Sequence, residues 1–249
     1  MQSSAEPGGR LVIIPTYREK ENIERMIRKV MSLEGDYHIL VVDDGSPDGT
    51  ADIVKRLITE FPGRLHLIER TGKLGLGTAY ITGFKWGLER NYGFFFEMDA
   101  DFSHNPDDLK RLYDSCAVDG ADVSVGSRYV WGGGVSNWSM DRRILSSWAS
   151  YYVRLITGMR VKDPTAGFVC YKRKVLQTLN LDGIRFIGYA FQIEMKFKSM
   201  LAGFRIQEVP ITFADREQGV SKMSAGIIHE AIFGVLRLKW DSLWKKAKA

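Results

Sequence analysis

The feature that most constrains this fold is a set of short, mainly apolar runs, each bounded by turn residues or charge: Leu11 to Pro15, His38 to Val42, Leu65 to Ile68 and Phe94 to Met98. A strand with one wet face alternates apolar and polar residues. A run that is apolar at consecutive positions, without strict alternation, is expected of a parallel strand covered on both faces. Between the runs lie longer stretches with helical period. Ile23, Met26, Ile27 and Val30 make one apolar stripe; Ile53, Val54, Leu57 and Ile58 make another. Strand and helix in alternation predict an α/β fold with a Rossmann-like, mostly parallel central sheet flanked by helices. Asp122 to Gly126 reads as a further strand.

Past about residue 130 the pattern changes. Trp131 to Gly134 reads as a Gly-rich loop, Arg143 to Ile156 as a helix and Asp163 to Tyr171 as extended. Gln192 to Leu201 reads as a helix, Val209 to Phe213 as a strand and Gly226 to Trp244 as a closing amphipathic helix. With no repeat, low-complexity tract or linker, one domain over residues 1–249 is the simplest reading. A chain of 249 residues buries enough core to need neither disulfides nor a structural metal. Cys116 and Cys170 lie far apart in sequence and read as free thiols of an intracellular protein. Met1 to Arg10 has no secretory pattern, and no run approaches the roughly 18 to 20 apolar residues of a membrane span. No anchoring transmembrane helix is therefore expected. The formal net charge of +5, without a long Lys/Arg run, speaks against a nucleic-acid partner. It suits phosphate-bearing ligands and an anionic membrane surface.

The residues that carry chemistry cluster where strands end. Asp99-Ala100-Asp101 follows the run Phe94 to Met98. In open α/β sheets ligands bind beyond the carboxyl ends of strands. Two carboxylates there repel each other unless a cation sits between them, and a hard divalent ion, Mg²⁺ or Mn²⁺, takes oxygen ligands and substrate phosphates. A lone D-x-D is more often a solvated turn; a second acidic turn, Asp43-Asp44-Gly45-Ser46-Pro47-Asp48-Gly49-Thr50, shifts that balance. Pro47, Gly49 and Thr50 are turn and cap residues, while Asp43 and Asp44 are placed to hydrogen-bond a base or ribose. After the first strand, Pro15-Thr16-Tyr17-Arg18-Glu19 offers a ring face and an acceptor, although helix-start chemistry explains Thr16 and Glu19 as well. Lys73-Leu74-Gly75-Leu76-Gly77-Thr78 is neither a Walker sequence nor a dinucleotide fingerprint. Its glycines let backbone amides approach an anion, and Lys73 adds charge.

Taken in order, these segments and Gly126-Ser127-Arg128-Tyr129, Asp163-Pro164-Thr165-Ala166-Gly167-Phe168, Phe191-Gln192-Ile193-Glu194-Met195 and Gly219-Val220-Ser221-Lys222 resemble the dolichyl or polyprenyl phosphate mannosyltransferases of glycosyltransferase family 2. The resemblance covers roughly residues 10 to 225, and Arg18 stands where that family usually has Asn. It implies a GT-A fold, GDP-mannose as donor, an isoprenoid lipid phosphate as acceptor, and Mg²⁺ or Mn²⁺. It implies a nucleotide-sugar-binding half at 10–125 and an acceptor-binding half at 126–249. Carried onto this sequence, Pro15, Tyr17, Glu19, Asp43, Asp44 and Lys73 would hold the nucleotide, and Asp99 and Asp101 the metal and diphosphate. Arg128, Arg142 and Ser146 match phosphate-contacting positions. Gln192 and Glu194 match active-site polar positions, and Ser221 and Lys222 a segment over the donor.

A phosphate acceptor has a second pKa of about 6 and is already a nucleophile near neutral pH, so no side-chain base is expected. Arg128 and Arg142 would clamp it, since a guanidinium fork suits a phosphate; taken alone, each arginine is as well explained by a surface ion pair. Attack opposite the leaving group would give a β-mannosyl phosphate lipid. The alternatives are a UDP-sugar transferase on the same lipid, transfer to a polysaccharide hydroxyl with Asp163 or Glu194 as base, or a silent sugar-nucleotide-binding module. Contact with the cytoplasmic face of a membrane is expected either through the closing helix, where Trp240 and Trp244 stand beside Arg237, Lys239, Lys245, Lys246 and Lys248, or through small membrane anchor proteins. A helix packed on the sheet explains the same residues equally well.

Overall fold

The computed structural model describes residues 8–188, 190–215 and 234–242. The strands are β1 (Gly9–Thr16), β2 (Tyr37–Asp43), β3 (Leu65–Glu69), β4 (Tyr92–Glu97), β5 (Val123–Ser127), β6 (Gly134–Ser136), β7 (Val169–Lys172), β8 (Ile206–Pro210) and β9 (Thr212–Ala214). The helices are α1 (Ile23–Met31), α2 (Thr50–Glu60), α3 (Leu76–Glu89), α4 (Leu109–Ala117), α5 (Met140–Thr157), α6 (Arg173–Thr178), α7 (Ala190–Leu201) and α8 (residues 234–242). The expected strand–helix alternation is therefore observed.

Seven strands form one sheet in the order β3-β2-β1-β4-β7-β5-β8. Along β1, Leu11 and Ile13 face a core shared with α3, α6 and α7, while Val12 and Ile14 face a core shared with α1, α2 and α4. Both faces are thus dry, which is why the strand sequences carry no alternation. On the α3 side the layers touch closely: a Cβ on Gly83 would lie 2.6 Å from Ile13 Cγ2, and one on Gly87 2.6 Å from Leu11 Cδ2. Glycine is what lets this helix approach the sheet.

Two readings need correction. The stretch from Asp163 to Tyr171 is not extended throughout: only Val169–Lys172 forms a strand, and β7 runs antiparallel between β4 and β5. The register Glu97↔Val169 and Val125↔Val169 brings the preceding turn, residues 163–168, to the carboxyl ends of β4 and β5. The stretch from Val209 to Phe213 is split. β8 ends at Pro210 in the main sheet, and β9 pairs with β6 in a separate two-stranded sheet. The loop expected at Trp131 to Gly134 runs into β6.

The strand order reverses between β1 and β4. β2 and β3 lie to one side of β1, β4 to the other, and all four are parallel. The crevice beyond the carboxyl ends at such a switch point is where open α/β sheets bind ligands. Cys116 and Cys170, distant in sequence, meet in the core as buried thiols, with Cys116 Sγ 3.7 Å from the Cys170 carbonyl oxygen. Among the described residues no helix is long and apolar enough to cross a membrane.

Candidate active site

The acidic turn after β2 is a scaffold for the loop after β1. Asp43 accepts hydrogen bonds from Thr16 Oγ1 (2.8 Å) and Ser46 N–H (2.8 Å). The next three loop residues are pinned in turn: Arg18 N–H donates to Ser46 Oγ (3.0 Å), Glu19 N–H to Thr50 Oγ1 (3.1 Å) and Lys20 N–H to Asp48 Oδ2 (3.2 Å). This fixes Arg18 at φ +60°, a left-handed conformation that Asn tolerates better than Arg. Tyr17 and Lys73 are brought together, with Lys73 Nζ 5.3 Å from the Tyr17 ring centroid. Pro15, Tyr17 and Glu19 are partly exposed at this rim, and Lys73 is exposed.

Asp44 meets a residue that sequence reasoning passed over. Arg70 Nε donates to Asp44 Oδ1 (2.6 Å) and Arg70 Nη1 to Thr78 Oγ1 (2.7 Å); Leu74 N–H donates to Asp44 Oδ2 (3.2 Å). The acidic turn and the Gly-rich turn are therefore clipped together by one nearly buried guanidinium. Only the charge that Asp44 needed could have pointed to it.

At the end of β4, Asp99 is partly exposed and Asp101 buried. Ser103 N–H donates to Asp101 Oδ1 (3.1 Å), and Asp99 N–H donates to His104 Nδ1 (3.2 Å). His104, also missed, lies stacked on Phe168 and edge-on to Phe213. Burial pushes its pKa down to about 4 against the opposing charge of Asp101, so it is neutral. Because Nδ1 accepts, the proton sits on Nε2. Among the described residues no group of three or more His, Cys, Asp or Glu side chains converges. A cation held by Asp99 and Asp101 would draw its remaining ligands from a bound diphosphate, as Mg²⁺ and Mn²⁺ do. The donor set fits such an ion.

Across the crevice, just past β5, Arg128 is locked rather than free. Its Nε donates to Asp163 Oδ2 (2.7 Å), and its Nη2 to Asp163 Oδ1 (2.6 Å) and Thr165 Oγ1 (2.8 Å). Burial would raise the Asp163 pKa, but the fork and charge of Arg128 outweigh it and leave the carboxyl below its ordinary value. Arg142, at the start of α5, pairs with Asp215 (2.8 Å) and lies 4.1 Å from the Trp138 ring centroid. Ser146 accepts from Tyr129 Oη (2.7 Å), which ties α5 to the segment after β5.

Beneath the acidic pair lies a buried cluster that the sequence did not announce. Lys196 on α7 is fully buried, and its ammonium donates to the Ala166 carbonyl (2.6 Å) and Gln192 Oε1 (3.2 Å). Glu97, the last residue of β4, is equally buried. Burial raises its pKa to about 8, opposed by Lys196, and burial lowers that of Lys196 to about 8, opposed by Glu97. Gln192 lies here too, its amide buried between the Lys196 ammonium and the Glu97 carboxyl. Glu194 does not share this face, since two residues along a helix turn a side chain by about 200°. Its Oε2 accepts from the backbone N–H groups of Arg185 (2.9 Å) and Phe186 (3.0 Å), and it pairs with Lys198. Ser221 and Lys222 lie outside the described residues.

A mostly parallel α/β sheet with acidic residues beyond β4 at its switch point and an arginine anchored just past β5 is the arrangement of a GT-A glycosyltransferase. Residues 11–179 match Glycosyl transferase family 2, and the chain belongs to that family, in the branch of the dolichyl and polyprenyl phosphate mannosyltransferases. It is 50% identical over 226 residues to a polyprenol monophosphomannose synthase of Mycolicibacterium smegmatis, covering 90% of this chain and 84% of that one. It is 45% identical over 239 residues to an undecaprenyl-phosphate mannosyltransferase of Micrococcus luteus, covering 96% and 97%. In fold it is similar to a mannosyltransferase of Pyrobaculum calidifontis solved with GDP-Man and Mn²⁺, with a TM-score of 0.55, 18% identity and coverage of 99% and 78%.

Proposed function

We propose that this chain moves mannose from GDP-mannose to the phosphate of a dolichyl or polyprenyl phosphate, inverting the anomeric centre to give a β-mannosyl phosphate lipid. The observation that carries the reading is the presence of Asp99 and Asp101 at the switch point together with the anchored Arg128 just past β5, one strand removed across β7. The names of the relatives support the lipid phosphate and the mannose, and the ligand of the fold relative supports the guanosine donor.

Residues 10–125 hold the nucleotide. Tyr17 and Lys73 close on it from two sides, while the Asp43 and Asp44 carboxylates keep the two loops in place. Asp99 and Asp101 would hold Mg²⁺ or Mn²⁺, which supplies positive charge to the diphosphate as the sugar departs. Residues 126–249 receive the acceptor. Asp163 and Thr165 occupy the Nε and Nη2 side of Arg128, so its Nη1 side and Arg142 face the lipid phosphate. Gln192, positioned by Lys196 and beside Glu97, lines the floor of the sugar site. The acceptor phosphate is dianionic above its second pKa of about 6, so neither Asp163 nor Glu194 is asked to act as a base. The chain works peripherally at the cytoplasmic membrane face where that lipid lies.

The test uses labelled GDP-mannose and UDP-glucose with a short polyprenyl phosphate in detergent. Transfer from GDP-mannose alone, a β-linked product and loss of roughly 10²-fold or more in kcat for Asp101→Asn are expected. No transfer from GDP-mannose, an α-linked product, or full activity in excess chelator would overturn the reading.

A further inference from the structure

The turn before β7, residues 163–168, holds Arg128 through Asp163 and Thr165, yet it belongs to no helix or strand. Its two ends are tied to the sheet. At the entry, Glu208 on β8 accepts from the backbone N–H groups of Lys162 (2.8 Å) and Asp163 (3.0 Å). At the exit, the Phe168 carbonyl accepts from Gly126 N–H on β5 (2.8 Å). Between those points the Ala166 carbonyl accepts from Lys196 Nζ on α7 (2.6 Å). An ammonium has three N–H bonds to give. The other two stay on α7, at the Gln192 carbonyl (3.3 Å) and Gln192 Oε1 (3.2 Å). The shortest of the three therefore joins α7 to the turn.

A fully buried ammonium is an unfavourable choice for packing alone. A methionine has similar reach and loses no ionic hydration. The chain instead places Glu97 in the same pocket, where its charge opposes that of Lys196. What the ammonium adds is a donor for the Ala166 carbonyl.

The height of this turn matters because it touches both sides of the crevice. A Cβ on Gly167 would lie 3.7 Å from His104 Cε1 and 3.9 Å from Gln192 Nε2, so the turn runs between them. His104 stacks on Phe168 and accepts from Asp99 N–H. At the other end of the turn, Asp163 receives the Arg128 fork.

We infer that Lys196 is a positioning residue for transfer: its ammonium holds the 163–168 turn, and through Asp163 and Thr165 the Arg128 guanidinium, in register with Asp99 and Asp101 at the end of β4. The inference rests on the reading that Arg128 meets the acceptor phosphate. Lys196 touches neither substrate; it acts through the turn.

The test compares wild type, Lys196→Met and Glu97→Gln/Lys196→Met, with GDP-mannose and a short polyprenyl phosphate in detergent. The double variant carries no charge in this pocket and keeps the test valid should the single one fold poorly. In both, kcat/KM for the acceptor should fall about 10–100-fold, the loss that follows when a reacting group is misplaced by about an ångström. KM for GDP-mannose should stay within about twofold, because Tyr17, Asp44 and Lys73 are untouched. Wild-type acceptor kinetics in the double variant overturn the inference, since Lys196 would then serve charge balance alone. A donor KM that rises as far as the acceptor KM overturns it too, because that marks general loosening. Hydrogen exchange is read on the same proteins without substrate. Amides of 163–168 and 126–130 should exchange faster in the variants, and those of 43–50 and 73–78 as in wild type. Unchanged exchange at 163–168, or faster exchange throughout, overturns the inference. If wild type itself transfers nothing, the proposed function fails, and the exchange pattern alone decides whether Lys196 holds the turn.

Discussion

Asp163→Asn isolates the anchoring of Arg128. Asp163 is fully buried and accepts from the Arg128 backbone N–H (3.0 Å), from Nε and Nη2, and from Thr165 Oγ1 (3.2 Å). Asparagine keeps the shape but offers one acceptor oxygen, and its NH₂ would face an N–H of Arg128. The guanidinium, whose side chain is 10% exposed, is left without its counter-charge. Breaking one side of such a buried pair costs about 3–5 kcal/mol. For a chain of this size that is about 2–4 °C per kcal/mol, so Tm should fall by about 6–20 °C in differential scanning calorimetry at pH 7. The pH dependence follows from the sign of the shift. The folded Asp163 pKa lies below its unfolded value near 3.8, so the contribution is complete above that value and is lost as pH falls through the folded one. The gap between wild type and variant should therefore persist to about pH 4 and close only below it. A Tm within about 2 °C of wild type at pH 7, or a gap unchanged down to pH 3, would show that the pair is not what holds Arg128.

Arg18→Asn should raise Tm by about 2–4 °C, because it relieves a left-handed residue costing about 1 kcal/mol; an unchanged Tm in the same scan refutes the strain. Gly83→Val places side-chain atoms where Ile13 already sits and should cost about 1–3 kcal/mol in urea denaturation, whereas an equal midpoint would mean the layers can part freely. Lys196→Met leaves Ala166 O and Gln192 Oε1 without their donor and should cost about 1–3 kcal/mol for each by the same measurement, with wild-type stability as the refuting result. Glu97 is pushed up to about 8, so between its ordinary 4.5 and 8 the folded state holds a proton that the unfolded state has released. Wild type should thus lose stability relative to Glu97→Gln as pH rises through that window, and parallel pH curves would refute the buried titration.

What the sequence determined by itself was local. Mainly apolar runs without alternation established buried parallel strands, 3.6-residue stripes established the helices on them, and polar punctuation placed chemistry at the strand ends. Those signals are legible because backbone period and burial act within a few residues of one another. Tertiary structure alone decided the partners. Arg70 meets Asp44 from 26 positions away and Arg128 meets Asp163 from 35, because β3 lies beside β2 and β7 folds back antiparallel against β5. Lys196 and Glu97 share a dry pocket although nothing near either residue in the chain forecasts the other. Helix α5 shows the same limit in reverse. Its period predicts a helix, but which of its apolar positions meet protein, as Val153 does, and which stay open, as Trp148 and Leu155 do, depends on where α7 and α8 pack, a long-range matter that no local pattern contains.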